Sequence, residues 1–155
     1  EGGETVKLVI AEMRRVEAQL SEAAGDEFAA IRKALSAGVT ALEEAVAYIV
    51  ATYGADIKSA SVGSVPFLKL LGIVAGGWQM GRAALVSARR LAEGSGDASF
   101  YSAKITTARF YADHVLAQGL ARHVLTDWDL AADPPRAGLL RLTAQGLQRL
   151  PIAPM

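Results

Sequence analysis

The residues of this chain that could do chemistry are few, and their spacing argues against most of the chemistry they suggest. His114 and His123 are nine residues apart. At about 100° per residue they fall on opposite faces of one helix and cannot share a metal ion there. Asp127, Asp129 and Asp133 alternate as in a calcium loop but lack its glycine and terminal glutamate, so a solvated turn is the simpler reading. Gly76-Gly77-Trp78-Gln79-Met80-Gly81 has the glycines of a phosphate loop without the preceding strand, the Lys-Ser/Thr or the Gly-x-Gly-x-x-Gly spacing. Inside a helix Gly72 and Gly76 lie four apart, as do Gly77 and Gly81, which makes notches where another backbone can approach closely. No Ser/His/Asp or Cys/His set has a supporting context. Catalytic, cofactor-binding and metal-binding roles are therefore assigned to no residue.

Contact chemistry is better represented. In the segment from Phe100 to Tyr111, helical spacing puts Phe100, Lys104, Thr107 and Tyr111 on one face. Aromatic rings with a cation make an interface or a ligand rim. A rim packed on the preceding helix fits the same residues, and spacing does not choose between them. Phe100, Lys104, Arg109 and Tyr111 are the candidate interface residues.

The elements that must position them read as helices. Val6, Val9, Ile10, Met13, Val16 and Leu20 recur every three or four residues, one stripe of an amphipathic helix. Gly25-Asp26 ends it, with Asp26 expected as the N-cap of a second helix. That helix carries Phe28, Ile31, Leu35, Leu42, Val46, Ile49 and Tyr53 and stops at Gly54. Residues 55–63 either extend it or form a loop. Ser64-Val65-Pro66 opens a third helix, because proline is tolerated in a first turn. It is apolar nearly all round to about Arg90. Its apolar run from Val65 to Val86 has the length of a membrane span, but Lys69, Gln79 and Arg82 interrupt it, and a buried bundle helix is expected instead. Gly94-Ser95-Gly96-Asp97 then caps a fourth helix, running from Ala98 to about His123. Short turns make the four helices antiparallel neighbours. The expectation is an all-α, up-down antiparallel four-helix bundle over residues 1–126. A Pro-containing tail follows over 127–155, with one short helix from Leu139 to Leu150.

Composition narrows the partners. Sixteen basic residues balance sixteen acidic ones in 155, so nothing in the net charge draws the chain to nucleic acid or an anionic membrane. The chain contains no cysteine, which excludes disulfides and thiolate metal sites and fits a reducing cytoplasm. No signal-peptide pattern precedes the first helix. The chain begins at Glu1 rather than Met, as a piece of a longer polypeptide would.

Three stretches together resemble the extra C-terminal helical domain of one branch of the acyl-CoA dehydrogenases, the branch with long-chain acyl-CoA and 3-methylmercaptopropionyl-CoA dehydrogenases. They are Gly2-Gly3-Glu4 leading into a helix, the run from Val65 to Trp78, and the run from Phe100 to His114. The match spans about residues 2 to 120. The second and third stretches are specific in combination; Gly-Gly-Glu alone is weak. The resemblance implies a parent flavoenzyme that desaturates an acyl-CoA at the α,β position, with a glutamate base and FAD as hydride acceptor. The family's base lies in a Tyr-Glu-Gly-Thr type motif ahead of the matched region. That motif does not occur in this chain, and Glu1 and Glu4 lie too far along to be the base. The expectation is therefore a domain that is not catalytic in isolation and holds no cofactor itself. It would pack on the parent's catalytic core and support a homo-oligomer, with no nucleic acid and no membrane span. A free-standing helical scaffold or adaptor is the alternative.

Overall fold

The structure is a computed structural model and describes residues 2–117. Within them lie α1 (Glu4–Glu22), α2 (Asp26–Tyr53), a short α3 (Ile57–Val62), α4 (Ser64–Ala92) and α5 (Ala98–Phe110). A π-helical turn, Tyr111–Leu116, continues α5. The all-α bundle expected from periodicity is the fold. The tail, its short helix, His123 and the three late aspartates lie outside the described residues.

α1 and α2 bury most of the stripe their period marks, although Val9 of α1 and Tyr53 of α2 stay exposed. α1 turns Ile10, Met13, Val16 and Leu20 inward; α2 turns Phe28, Ile31, Leu35, Val39, Leu42 and Val46. α2 and α4 pack together at the centre, with α1 on one flank of the pair and α5 with its π turn on the other. The directions alternate. Gly3, before α1, lies beside Val46 and Val50 near the end of α2. Gly81 of α4 lies beside Val16 and Leu20 of α1 and Ile31 of α2. Burying large aliphatic side chains of this kind contributes about 1.5–3 kcal/mol each before the ordering entropy is subtracted.

A polar clasp fixes α1 against α2. Arg14 donates through Nε and Nη2 to Glu43 (3.2 and 2.7 Å), through Nη1 to Glu17 (2.6 Å) and through Nη2 to Thr40 Oγ1 (3.0 Å). The hydrogen bond to Glu43 is the largest cause raising the pKa of the Arg14 guanidinium above its ordinary value. Burial pushes the Glu17 carboxyl up, but hydrogen bonds from Arg14 and Ser36 outweigh it and leave a net lowering.

The helix boundaries show where local chemistry wins and where it does not. Asp97 is the N-cap of α5, accepting from the backbone N–H of Ser99 (2.9 Å) and Phe100 (3.2 Å). Asp26 does not cap α2. It is the first helical residue, and Gly25, at φ 121°, occupies the cap without a side-chain bond. Asp26 and Glu27 still place negative charge on the positive end of the helix. Gly54 ends α2 in an ordinary right-handed conformation, φ −77°, so its freedom is not used there. The undecided segment after it holds the short α3, whose start is supported by Asp56 Oδ1 accepting from Lys58 N–H at 3.0 Å.

By length and composition, α2 is the described helix apolar enough to cross a bilayer; α4, the one singled out above, is interrupted by its cations. In the bundle the apolar stripe of α2 is turned to α1, α4 and the π turn.

Candidate functional site

The four candidate residues lie along or beside the seam where α5 runs against α4, and the seam is open at one end and closed at the other. Because the helices are antiparallel, positions stepping forward on α5 meet positions stepping back on α4. At the open end Phe100 is 52 % exposed. Its ring meets Tyr101 edge-on at 5.4 Å between centroids, and Lys104 Nζ rests 5.2 Å from the same Phe100 ring. Across from them on α4, the Arg82 guanidinium rests 5.4 Å from the Trp78 ring and donates to Gln79 Oε1 at 3.1 Å. Gln79, Arg82, Val86, Phe100 and Lys104 border a shallow groove of about 380 Å³. Ser87 lines it at 3 % exposure.

At the closed end Tyr111 leans into α4. Its hydroxyl donates to the Ile73 carbonyl oxygen at 3.1 Å, and burial raises the phenol's pKa above its ordinary value. It fits only because residue 76 is glycine: a Cβ there would lie 2.2 Å from the Tyr111 oxygen and 2.9 Å from Cζ. The next notch, Gly77, takes Leu116, whose Cδ2 would lie 2.8 Å from a Cβ at that position; Leu116 also meets Gly38 of α2. Tyr111 and Leu116, five residues apart, would point about 140° apart on an α-helix. The i→i+5 bonding of the π turn brings residue i+5 nearly over residue i, so both side chains reach consecutive glycines of α4. Gly76, Gly77 and Gly81 are packing notches, as their spacing implied, filled by side chains; Gly72 is not one, since nothing lies within 4 Å of its Cβ position.

Arg109 works differently again. Its Nε donates to Asp113 Oδ2 at 2.6 Å and its Nη1 to the backbone carbonyl of Asp26 at 3.4 Å, which ties α5 to the start of α2. Of the four candidates, then, Phe100 and Lys104 face outward, while Arg109 and Tyr111 hold the bundle together. Arg82, Gln79 and Val86 of α4 join the outward pair and were not singled out by the spacing of α5. The signal for them was available: α4 contains four cations and no carboxylate.

Among the described residues no group of three or more His, Cys, Asp or Glu could hold a metal ion. His114 lies beside Phe110, ring centroids 4.6 Å apart. At its open end the seam pairs cations with aromatic faces, Arg82 with Trp78 and Lys104 with Phe100.

Fold and seam together define a helical bundle with an edge of cations set against aromatic rings. The sequence profile of the family described as "Acetyl-CoA dehydrogenase C-terminal like" matches residues 9–127, and the chain belongs to that family. It is 38 % identical over 123 residues to the 3-methylmercaptopropionyl-CoA dehydrogenase of Ruegeria pomeroyi. The aligned region is 79 % of this chain and 21 % of that enzyme, so the chain spans about one fifth of its relative. No solved structure matches the chain significantly.

Proposed function

We propose that the chain serves as the C-terminal helical domain of a larger FAD-dependent acyl-CoA dehydrogenase, in which the α,β-desaturation of an acyl-CoA thioester is done by the rest of the polypeptide. The family match across nearly the whole bundle is the observation that carries this reading. The relative's name supports a CoA thioester as substrate, and its greater length supports a catalytic portion outside this chain. In this reading the bundle binds no flavin of its own, packs on the catalytic portion, helps hold a homo-oligomer and works in the cytoplasm. Phe100 and Lys104 are its outward contact residues, and Arg109 and Tyr111 keep α5 in place beneath them.

The test compares the 155-residue chain with the complete gene product that contains it. The complete product should carry FAD and reduce an electron acceptor when given an acyl-CoA. The chain alone should do neither. Stoichiometric FAD binding by the chain alone would overturn the reading. So would a complete product with no flavoenzyme domain, which would favour the scaffold or adaptor alternative.

A further inference from the structure

The bundle is neutral as a whole but divided in charge. α4 and α5 carry six cations, Lys69, Arg82, Arg89, Arg90, Lys104 and Arg109, and no carboxylate, whereas α1 and α2 carry eight carboxylates against five cations. Arg90 is paired with Glu93 at 3.6 Å and Arg109 with Asp113 at 2.6 Å. Arg82 and Lys104 have no carboxylate partner among the described residues. They are held instead against the faces of Trp78 and Phe100, which positions a cation without neutralising it. Between them the groove has an apolar wall in Val86 and Phe100. Ser87, buried at 3 % exposure, also lines it.

We infer that this half-open α4–α5 seam is the surface by which the bundle docks on the catalytic portion of its own enzyme, and that the opposing surface presents carboxylates on either side of an apolar side chain. The inference rests on the proposed function above for the identity of the partner. Charge complementarity sets the partner's chemistry: two cations without a carboxylate partner among the described residues, on opposite lips of one groove, favour carboxylates at matching positions. An apolar, half-exposed aromatic between them favours a side chain that would desolvate it. The groove is shallow and its cations come from two helices, which suits a broad protein surface better than a small anion needing convergent, buried donors.

Zero-length carbodiimide cross-linking of the complete enzyme tests this, because it joins a lysine only to a carboxylate in contact with it. Lys104 should link to an Asp or Glu outside residues 1–155. Acetylation of Lys104 should be about tenfold or more slower in the complete enzyme than in the 155-residue chain, as for other groups protected by docking. Lys33 of α2 should react alike in both. The double variant Arg82→Glu, Lys104→Glu should raise the exchange of the outward-facing α5 amides in the complete enzyme to the rate seen in the variant chain alone, which keeps its helicity and melting temperature. Equal acetylation of Lys104 in both proteins overturns the inference. So does a link from Lys104 to α1 or α2 of a second copy, or protection of Lys104 in the isolated chain by coenzyme A alone. A flavin-bearing, active enzyme with an accessible Lys104 sinks only the docking surface. A complete product without flavin sinks the proposed function and the partner's identity with it.

Discussion

Replacing Gly76 with alanine should destabilise the bundle, although alanine is the better helix former by about 1 kcal/mol. The added Cβ would lie 2.2 Å from the Tyr111 oxygen and 2.9 Å from Cζ, so the ring must retreat by more than about 1 Å to reach ordinary van der Waals separation. That retreat breaks the 3.1 Å bond to the Ile73 carbonyl, a loss of about 1 kcal/mol. Overpacking adds about 1–3 kcal/mol. Against the helix-propensity gain, the net expectation is a loss of about 1–3 kcal/mol, read by urea denaturation of the 155-residue chain. Gly72→Ala is the matched control. It lies on the same helix, nothing stands within 4 Å of its Cβ position, and it should stabilise by about 0.5–1 kcal/mol. Tyr111→Phe removes the closest atom, so it should recover part of the loss in the Gly76→Ala background while costing about 1 kcal/mol on its own. A Gly76→Ala chain as stable as Gly72→Ala would refute the reasoning, because the notch would then not be filled.

Three further outcomes follow from the packing and the caps. Leu116→Ala empties the notches at Gly38 and Gly77 and should cost about 2–5 kcal/mol by the same denaturation assay. Asp97→Ala leaves the Ser99 and Phe100 amides uncapped; a loss of about 1 kcal/mol is expected, with amide exchange rising first at the start of α5. The Glu17 carboxyl is held below its ordinary value of 4.5. Its contribution is therefore present above that value and is lost as pH falls through the lower, folded one. Glu17→Gln should be less stable by about 1 kcal/mol or less at pH 7. Between pH 5 and 3 it should also show a flatter decline in denaturation midpoint than the parent chain.

The long helices were legible in the sequence because each has a buried stripe whose period is 3.6: Ile10, Met13, Val16 and Leu20 could be read directly. Asp97 was legible too, since a side-chain cap is a local matter. Asp26 was not, because the backbone of Gly25 supplies the turn and leaves no bond for a side chain to make. The short α3 has too few residues for a periodic signal. At the seam, counting from Phe100 correctly grouped Lys104 and Tyr111 on one side of α5. It could not say that the tyrosine's hydroxyl is used up inside the bundle, because that depends on α4 offering a glycine opposite. Arg109 stood among the interface candidates for a related reason: its carbonyl partner, at Asp26, lies 83 positions away in the chain, although its ion pair with Asp113, four residues on, is a local one.

The π turn has one more implication, for chain length. A π turn is an α-helix that has taken in an extra residue, so removing any single residue between Tyr111 and Leu116 would let ordinary winding resume. Leu116 would then stand four places after Tyr111, about 40° round an α-helix, so the two side chains could still reach the notches at Gly76 and Gly77. Deleting Val115, which changes no charge, should therefore cost the bundle less than Leu116→Ala, which leaves the notch empty. A helical wheel drawn from Ala98 loses its phase at Tyr111 for the same reason. At this turn the winding of the backbone, as much as the identity of its residues, decides which side chains meet α4.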